Sequence, residues 1–128
     1  MNTKKLMCAL SVPIWLTACS VLDARPGAPV MVANGVLTGS TGMTLYTFDK
    51  DQVGSGKSVC NGPCAGNWPP LYAAEGEVAG GDYTLINRDD GKKQWAVKGK
   101  PLYYWVKDQK PGDMTGDGFN NVWRVARP

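Results

Sequence analysis

The sequence predicts a small, compact all-β domain made of two related β-units, each a hairpin or meander repeat, with glycine-rich loops and little helix. Three observations predict it. Short runs of β-branched and aromatic residues are cut by glycine at close intervals. The 16 glycines and 9 prolines leave little room for long helices. One stretch of eleven residues recurs without gaps 57 positions downstream.

The chain starts with a segment that does not belong to this domain. Met1-Asn-Thr-Lys4-Lys5 is basic, and the apolar run 6–16 that follows is too short to span a bilayer, so residues 1–18 read as a signal peptide. Leu16-Thr17-Ala18-Cys19 resembles the bacterial lipobox, in which small residues precede a cysteine that becomes the acylated N-terminus. The alternative is an ordinary cleavage beside an incidental cysteine. Several acyl chains on Cys19, palmitate among them, hold a protein firmly, because each buried methylene contributes about 0.8 kcal/mol. By the same resemblance, Ser20 in place of aspartate directs the lipoprotein to the outer membrane of a Gram-negative cell, facing the periplasm or the surface. Residues 19–29 carry Arg25-Pro26-Gly27-Ala28-Pro29 without hydrophobic period and read as a membrane tether.

Removing Lys4 and Lys5 leaves twelve basic residues against eleven acidic ones, so the excess of positive charge belongs to the targeting segment. The mature chain therefore gives no sign of a nucleic-acid partner. Histidine is absent, which excludes histidine acid/base chemistry and histidine-ligated metal or haem. Cys8 leaves with the signal and Cys19 takes lipid, so Cys60 and Cys64 remain as a pair in an oxidising compartment and should form a disulfide.

The folded part, 30–128, is expected to place strands at 30–33, 36–38, 43–48, 83–87, 94–98, 102–106 and 122–126. Arg88-Asp-Asp-Gly-Lys92 reads as a hairpin turn, since Asp-Gly supplies the positive φ that a tight turn needs. The repeat aligns Gly42-Met-Thr-Leu-Tyr46-Thr-Phe48-Asp-Lys-Asp51-Gln on Gly99-Lys-Pro-Leu-Tyr103-Tyr-Trp105-Val-Lys-Asp108-Gln, within repeats of about 35–71 and 92–126. Each copy runs through a glycine-rich loop to a tryptophan, Trp68 or Trp123, and the two units are expected to pack about a pseudo-twofold axis. Strand alternation puts Tyr46 with Phe48, and Tyr103 with Trp105, on one face. Asp51 and Asp108 fall where strand gives way to loop and are placed to accept loop N–H groups.

Two instances of Tyr-x-(Phe/Trp/Tyr)-x-x-Asp, with Cys60-Asn-Gly-Pro-Cys64-Ala-Gly-Asn-Trp68-Pro-Pro and Pro111-Gly-Asp-Met-Thr-Gly-Asp-Gly118, carry a family resemblance. The chain resembles the bacterial lipoproteins named for that repeated motif, also described as a secreted repeat of unknown function. The resemblance implies an envelope lipoprotein and supplies no activity.

Several sites have competing readings. Cys60 and Cys64 are a structural staple or, on the sharper reading, a redox pair serving electron transfer with a partner. Against the latter stand the three-residue spacing and the lack of an evident helix N-terminus to activate a thiol. Asp113 and Asp117 in the acidic loop are solvated turn residues or weak Ca²⁺ ligands that do not follow EF-hand spacing. The aromatic residues form the core or a platform for sugar rings, with Tyr104, Trp68 and Trp123 the candidate ligand contacts. Tyr104, standing where the first copy has Thr47, is the best candidate for an exposed one. No carboxylate pair stands out for catalysis. The expectation is therefore a non-catalytic envelope module with no cofactor or resident metal, bound to the membrane by its lipid and to an envelope protein or glycan.

Overall fold

The computed structural model describes residues 25–26 and 28–128, so the signal peptide 1–18 and the lipidation site Cys19 lie outside the described residues. Among the described residues strands dominate, with one five-residue helix and one 3-10 turn. Two Gly-containing I′-like turns fold hairpins directly. Asn34-Gly35, both at positive φ, joins β2 (Met31–Ala33) to β3 (Val36–Thr38). Lys98-Gly99, again both at positive φ, joins β7 (Lys93–Val97) to β8 (Lys100–Pro101). Between them, β6 (Tyr83–Asn87) pairs antiparallel with β7 through the expected turn, closed by Arg88 N–H donating to the Lys92 carbonyl at 2.8 Å with Gly91 at φ 85°.

The expected strands at 43–48 and 102–106 are shorter than the sequence suggests. Only β4 (Tyr46–Phe48) persists in the first, and the second pairs only through a bridge at Tyr103. The physical reason is that the chain changes neighbours at Leu45 and Leu102, one residue before each motif tyrosine. Leu45 closes a cyclic set of backbone bonds, Leu37 N–H to Ala126, Ala126 N–H to Leu45 and Leu45 N–H to Leu37, at 2.8 to 2.9 Å. Trp95, Leu71 and Leu102 close the same cycle in the second half, all at 2.9 Å.

These cycles show that the two units exchange their tails. β9 (Trp123–Val125), the end of the second repeat, pairs with β4 of the first, setting Tyr46 opposite Val125. Pro70, the end of the first repeat, pairs with Tyr103 of the second. Between them, Tyr46 and Tyr103 donate backbone N–H groups to each other's carbonyls at 2.8 and 2.9 Å, and a reciprocal pair of this kind lies on a pseudo-twofold axis.

Two features depart from the sequence reading at the edges of the domain. Arg25–Pro26 forms a two-residue strand, β1, parallel to β5 (Glu77–Val78), and Ala28 and Val30 pack on the core, so ordered contacts begin inside the segment read as tether. A short helix, α1 (Pro63–Asn67), starts with proline at its first position and places Cys64 in its only turn, where the sequence showed no helix start.

The core has two centres. Leu37, Leu45, Leu71, Trp95, Val97, Leu102 form one. The other is a column of rings in which Trp68 and Trp123 lie face to face at 3.8 Å and 4°, flanked by Trp105 on Trp68 at 3.9 Å and Phe48 on Trp123 at 4.1 Å. Tyr46 meets Trp68 edge-on at 5.3 Å, and Tyr103 meets Trp123 edge-on at 5.1 Å, so the column obeys the same twofold relation. Each such contact contributes about 0.5–1.5 kcal/mol beyond its buried area.

Gly116 lets this column close, because a methyl group there would stand 2.7 Å from the Trp68 ring and 3.0 Å from Trp105. Its φ lies outside the positive range, so alanine is conformationally allowed and only the clash counts. Gly116→Ala is expected to lower stability by about 1–3 kcal/mol. Urea unfolding together with loss of the near-ultraviolet signal of the coupled indoles measures it.

Candidate functional site

The motif residues converge at the twofold axis, and they bond across it. The Tyr46 hydroxyl donates to Asp108 Oδ2 at 2.7 Å, and the Tyr103 hydroxyl donates to Asp51 Oδ2 at 2.5 Å. The tyrosine of each repeat is thus held by the aspartate of the other. The remaining oxygen of each carboxylate pins its own loop as the sequence led us to expect. Asp51 Oδ1 accepts Val59 N–H at 2.8 Å, and Asp108 Oδ1 accepts the N–H and hydroxyl of Thr115 at 3.0 and 2.6 Å. Strand-to-loop turns place the two aspartates alike, since Asp51 N–H donates to Phe48 and Asp108 N–H to Trp105.

Both tyrosines are fully buried and both aspartates nearly so. Burial, and next the bond to Asp108, pushes the Tyr46 phenol well above its ordinary range, and burial followed by the Asp51 bond does the same for Tyr103. Burial also raises Asp51, against the Tyr103 hydroxyl, the Val59 N–H and the Arg88 charge, which pull it down. Ionising Asp51 therefore works against the fold as pH rises through its titration.

Around the Tyr103–Asp51 pair lies a polar network that sequence reasoning missed. Ser58 Oγ meets the Tyr103 hydroxyl at 2.6 Å and accepts from Arg88 Nη1 at 3.0 Å. The guanidinium also donates to Gln94 Oε1 at 2.7 Å, the Cys60 carbonyl at 2.6 Å and Asn61 Oδ1 at 3.1 Å. Arg88 is only 4% exposed, and its Nε is buried without a partner. At the start of a polar turn, nothing in the local sequence marks it as a core residue. Its neighbour Cys60 is fully buried and bonded to half-buried Cys64, with a Cα–Cα distance of 5.2 Å. The guanidinium fastens the loop between Asp51 and α1 to the β6–β7 hairpin, and the disulfide ties that loop to α1.

The remaining candidates sit elsewhere. Trp68 and Trp123 are each 3% exposed, and each covers a face of the other, so the ring platform for a ligand is corrected to a core. Tyr104 is half-buried against the aliphatic core, not exposed, and Gly39 gives it the room, since a methyl group there would overlap its hydroxyl. Burial raises its phenol as well. Asp113 is committed to its own loop, accepting from the Gln109 and Lys110 N–H groups and pairing with Lys110 Nζ at 2.9 Å, which lowers its carboxyl below the usual range. Asp117 accepts Val125 N–H at 3.1 Å. Among the described residues, no three His, Cys, Asp or Glu side chains gather as a metal site would require.

The model of one protein family, described as a secreted repeat of unknown function, matches residues 30–72 and 84–127. Each match holds one Tyr–Asp motif and the tail that crosses to the other half. No curated protein and no solved structure matches the chain.

The two buried phenols set a pH limit. A phenol raised in the folded state lends stability that is whole below its ordinary value of about 10 and drains as pH climbs toward the folded value. Urea midpoints are expected to fall from about pH 10 upward, with the 295 nm phenolate absorbance of Tyr46 and Tyr103 appearing only on unfolding. Tyr46→Phe and Tyr103→Phe should each flatten that alkaline slope while lowering stability at neutral pH.

Proposed function

The chain belongs to the family of secreted repeats of unknown function, and from that premise we propose that it is a non-catalytic binding or structural module of the cell envelope, held to the membrane by lipid on Cys19. One observation carries the non-catalytic reading. The side chains best suited to chemistry, the two Tyr–Asp pairs, Ser58, Arg88 and the cysteine pair, are buried or bonded to one another and spend their polar capacity inside the fold. Hydroxyls and carboxylates committed in this way are not free to act on a substrate.

The anchor rests on the order of basic residues, short apolar run, small residues and Cys19. Secretion agrees with the oxidised state of Cys60 and Cys64. The outer membrane is the destination that Ser20 favours. On this reading the disulfide is a staple, and closing so short a loop contributes about 2 kcal/mol. The competing redox role would have to work through Cys64, because the Cys60 end is fully buried.

Two variants test the proposal in cells that make the full chain. Cys19→Ser should abolish the acyl mass carried by residue 19 and leave the unprocessed precursor, with residues 1–18 still attached. Cys60→Ser frees Cys64, and trapping with alkylating acid quench should then give a monomer with lowered stability. A specific mixed disulfide between Cys64 and an envelope protein would overturn the staple in favour of electron transfer.

A further inference from the structure

A cleft of about 690 Å³ runs between residues 72–79 and the β6–β7 hairpin. Its walls are apolar, from Ala73, Ala74, Ala79 and Leu85, and its lip carries two large side chains left open to solvent, Tyr72 at 41% and Val78 at 42%. Lys92 and Lys93 border it, with Lys92 Nζ 5.2 Å from the Tyr72 ring centroid. Of its two acids, Glu77 is turned inward, accepting the Ala74 N–H at 2.7 Å and Trp95 Nε1 at 3.1 Å, which leaves Glu75 against two lysines.

The chain toward the anchor leaves from this cleft. β1 pairs Arg25 with Glu77 and Pro26 with Val78, on the cleft's own lip. From Arg25 to Cys19 there are six residue steps, a reach of at most about 20 Å. A domain of this size is about 30 Å or more across. The anchor is shorter than the domain is wide, so the face from which it departs is held nearest the bilayer.

We propose that this cleft is the face the domain lays on its membrane, where it takes a lipid acyl chain from the leaflet that carries the anchor. Tyr72 and Val78 enter the interfacial layer, and Lys92 and Lys93 bury their stems and present ammonium groups to headgroup phosphates. Apolar clefts beside aromatic and lysine side chains suit that layer, where amphipathic rings and snorkelling lysines are favoured. The inference rests on the lipid-anchor reading above and adds an orientation to it.

The test uses the full chain, processed by a bacterial host and reconstituted into nanodiscs of phosphatidylethanolamine and phosphatidylglycerol, with intact mass reporting the lipid on Cys19. Lipids bearing a nitroxide on the acyl chain should broaden the amide signals of 72–79 and 92–93 several times more than those of 119–121, which lie outside the cleft. Val78→Asp, an exposed substitution, should bring the cleft amides down to the level of 119–121 while the anchor stays attached. Uniform or absent broadening with the lipid in place overturns the docking and leaves the anchor intact. A mature N-terminus without lipid removes the anchor reading and the docking with it.

Discussion

Everything in this fold depends on a reciprocal constraint at its centre, the bond from each motif tyrosine to the aspartate of the other repeat. Tyr46 reaches Asp108 and Tyr103 reaches Asp51, while the two tyrosine backbones pair directly. Each aspartate meanwhile holds the start of its own glycine-rich loop, and each loop returns a tryptophan to the ring column beneath the tyrosines. A hydrogen bond to a charged, buried acceptor contributes about 1.5–3 kcal/mol, and more is lost when one partner is left alone. The motif therefore couples turn, loop and core across two copies. Exchange of the tails makes the same point in the backbone, because neither unit can complete its cycle of bonds without the other.

The two halves are alike at the axis and differ away from it. In the first, the loop after the motif is closed by the disulfide and by Arg88 reaching over from the second repeat. In the second, the loop is held by Thr115 on Asp108 and by Lys110 on Asp113, with no covalent link. The exposed pair Arg124 and Asp49, 3.0 Å apart, adds another link between halves but sits in water and contributes little. The stacked indoles and the crossed pairs serve both halves together.

Much of the plan was legible in the residues. Glycine punctuation marked the strands, Asp90-Gly91 marked the hairpin, and the 57-residue offset marked the two units and their aromatic faces. The aspartates were rightly expected to pin their loops, and the cysteines to pair. The crossing was not legible, because an internal alignment reports that two segments are similar and says nothing about which one bonds which. Arg88 was hidden by its position in a polar turn, where an arginine is ordinarily solvated. Tyr104 was misread because the space it fills is made by Gly39, more than sixty positions away.

The crossing can be measured directly by double-mutant cycles in urea unfolding at neutral pH. Tyr46→Phe combined with Asp108→Ala should show a coupling energy of about 1–3 kcal/mol, and Tyr103→Phe with Asp51→Ala the same. Tyr46→Phe with Asp51→Ala, the pair within one repeat, should be additive to within about 0.5 kcal/mol. Strong coupling within a repeat and additivity across the axis would contradict the account.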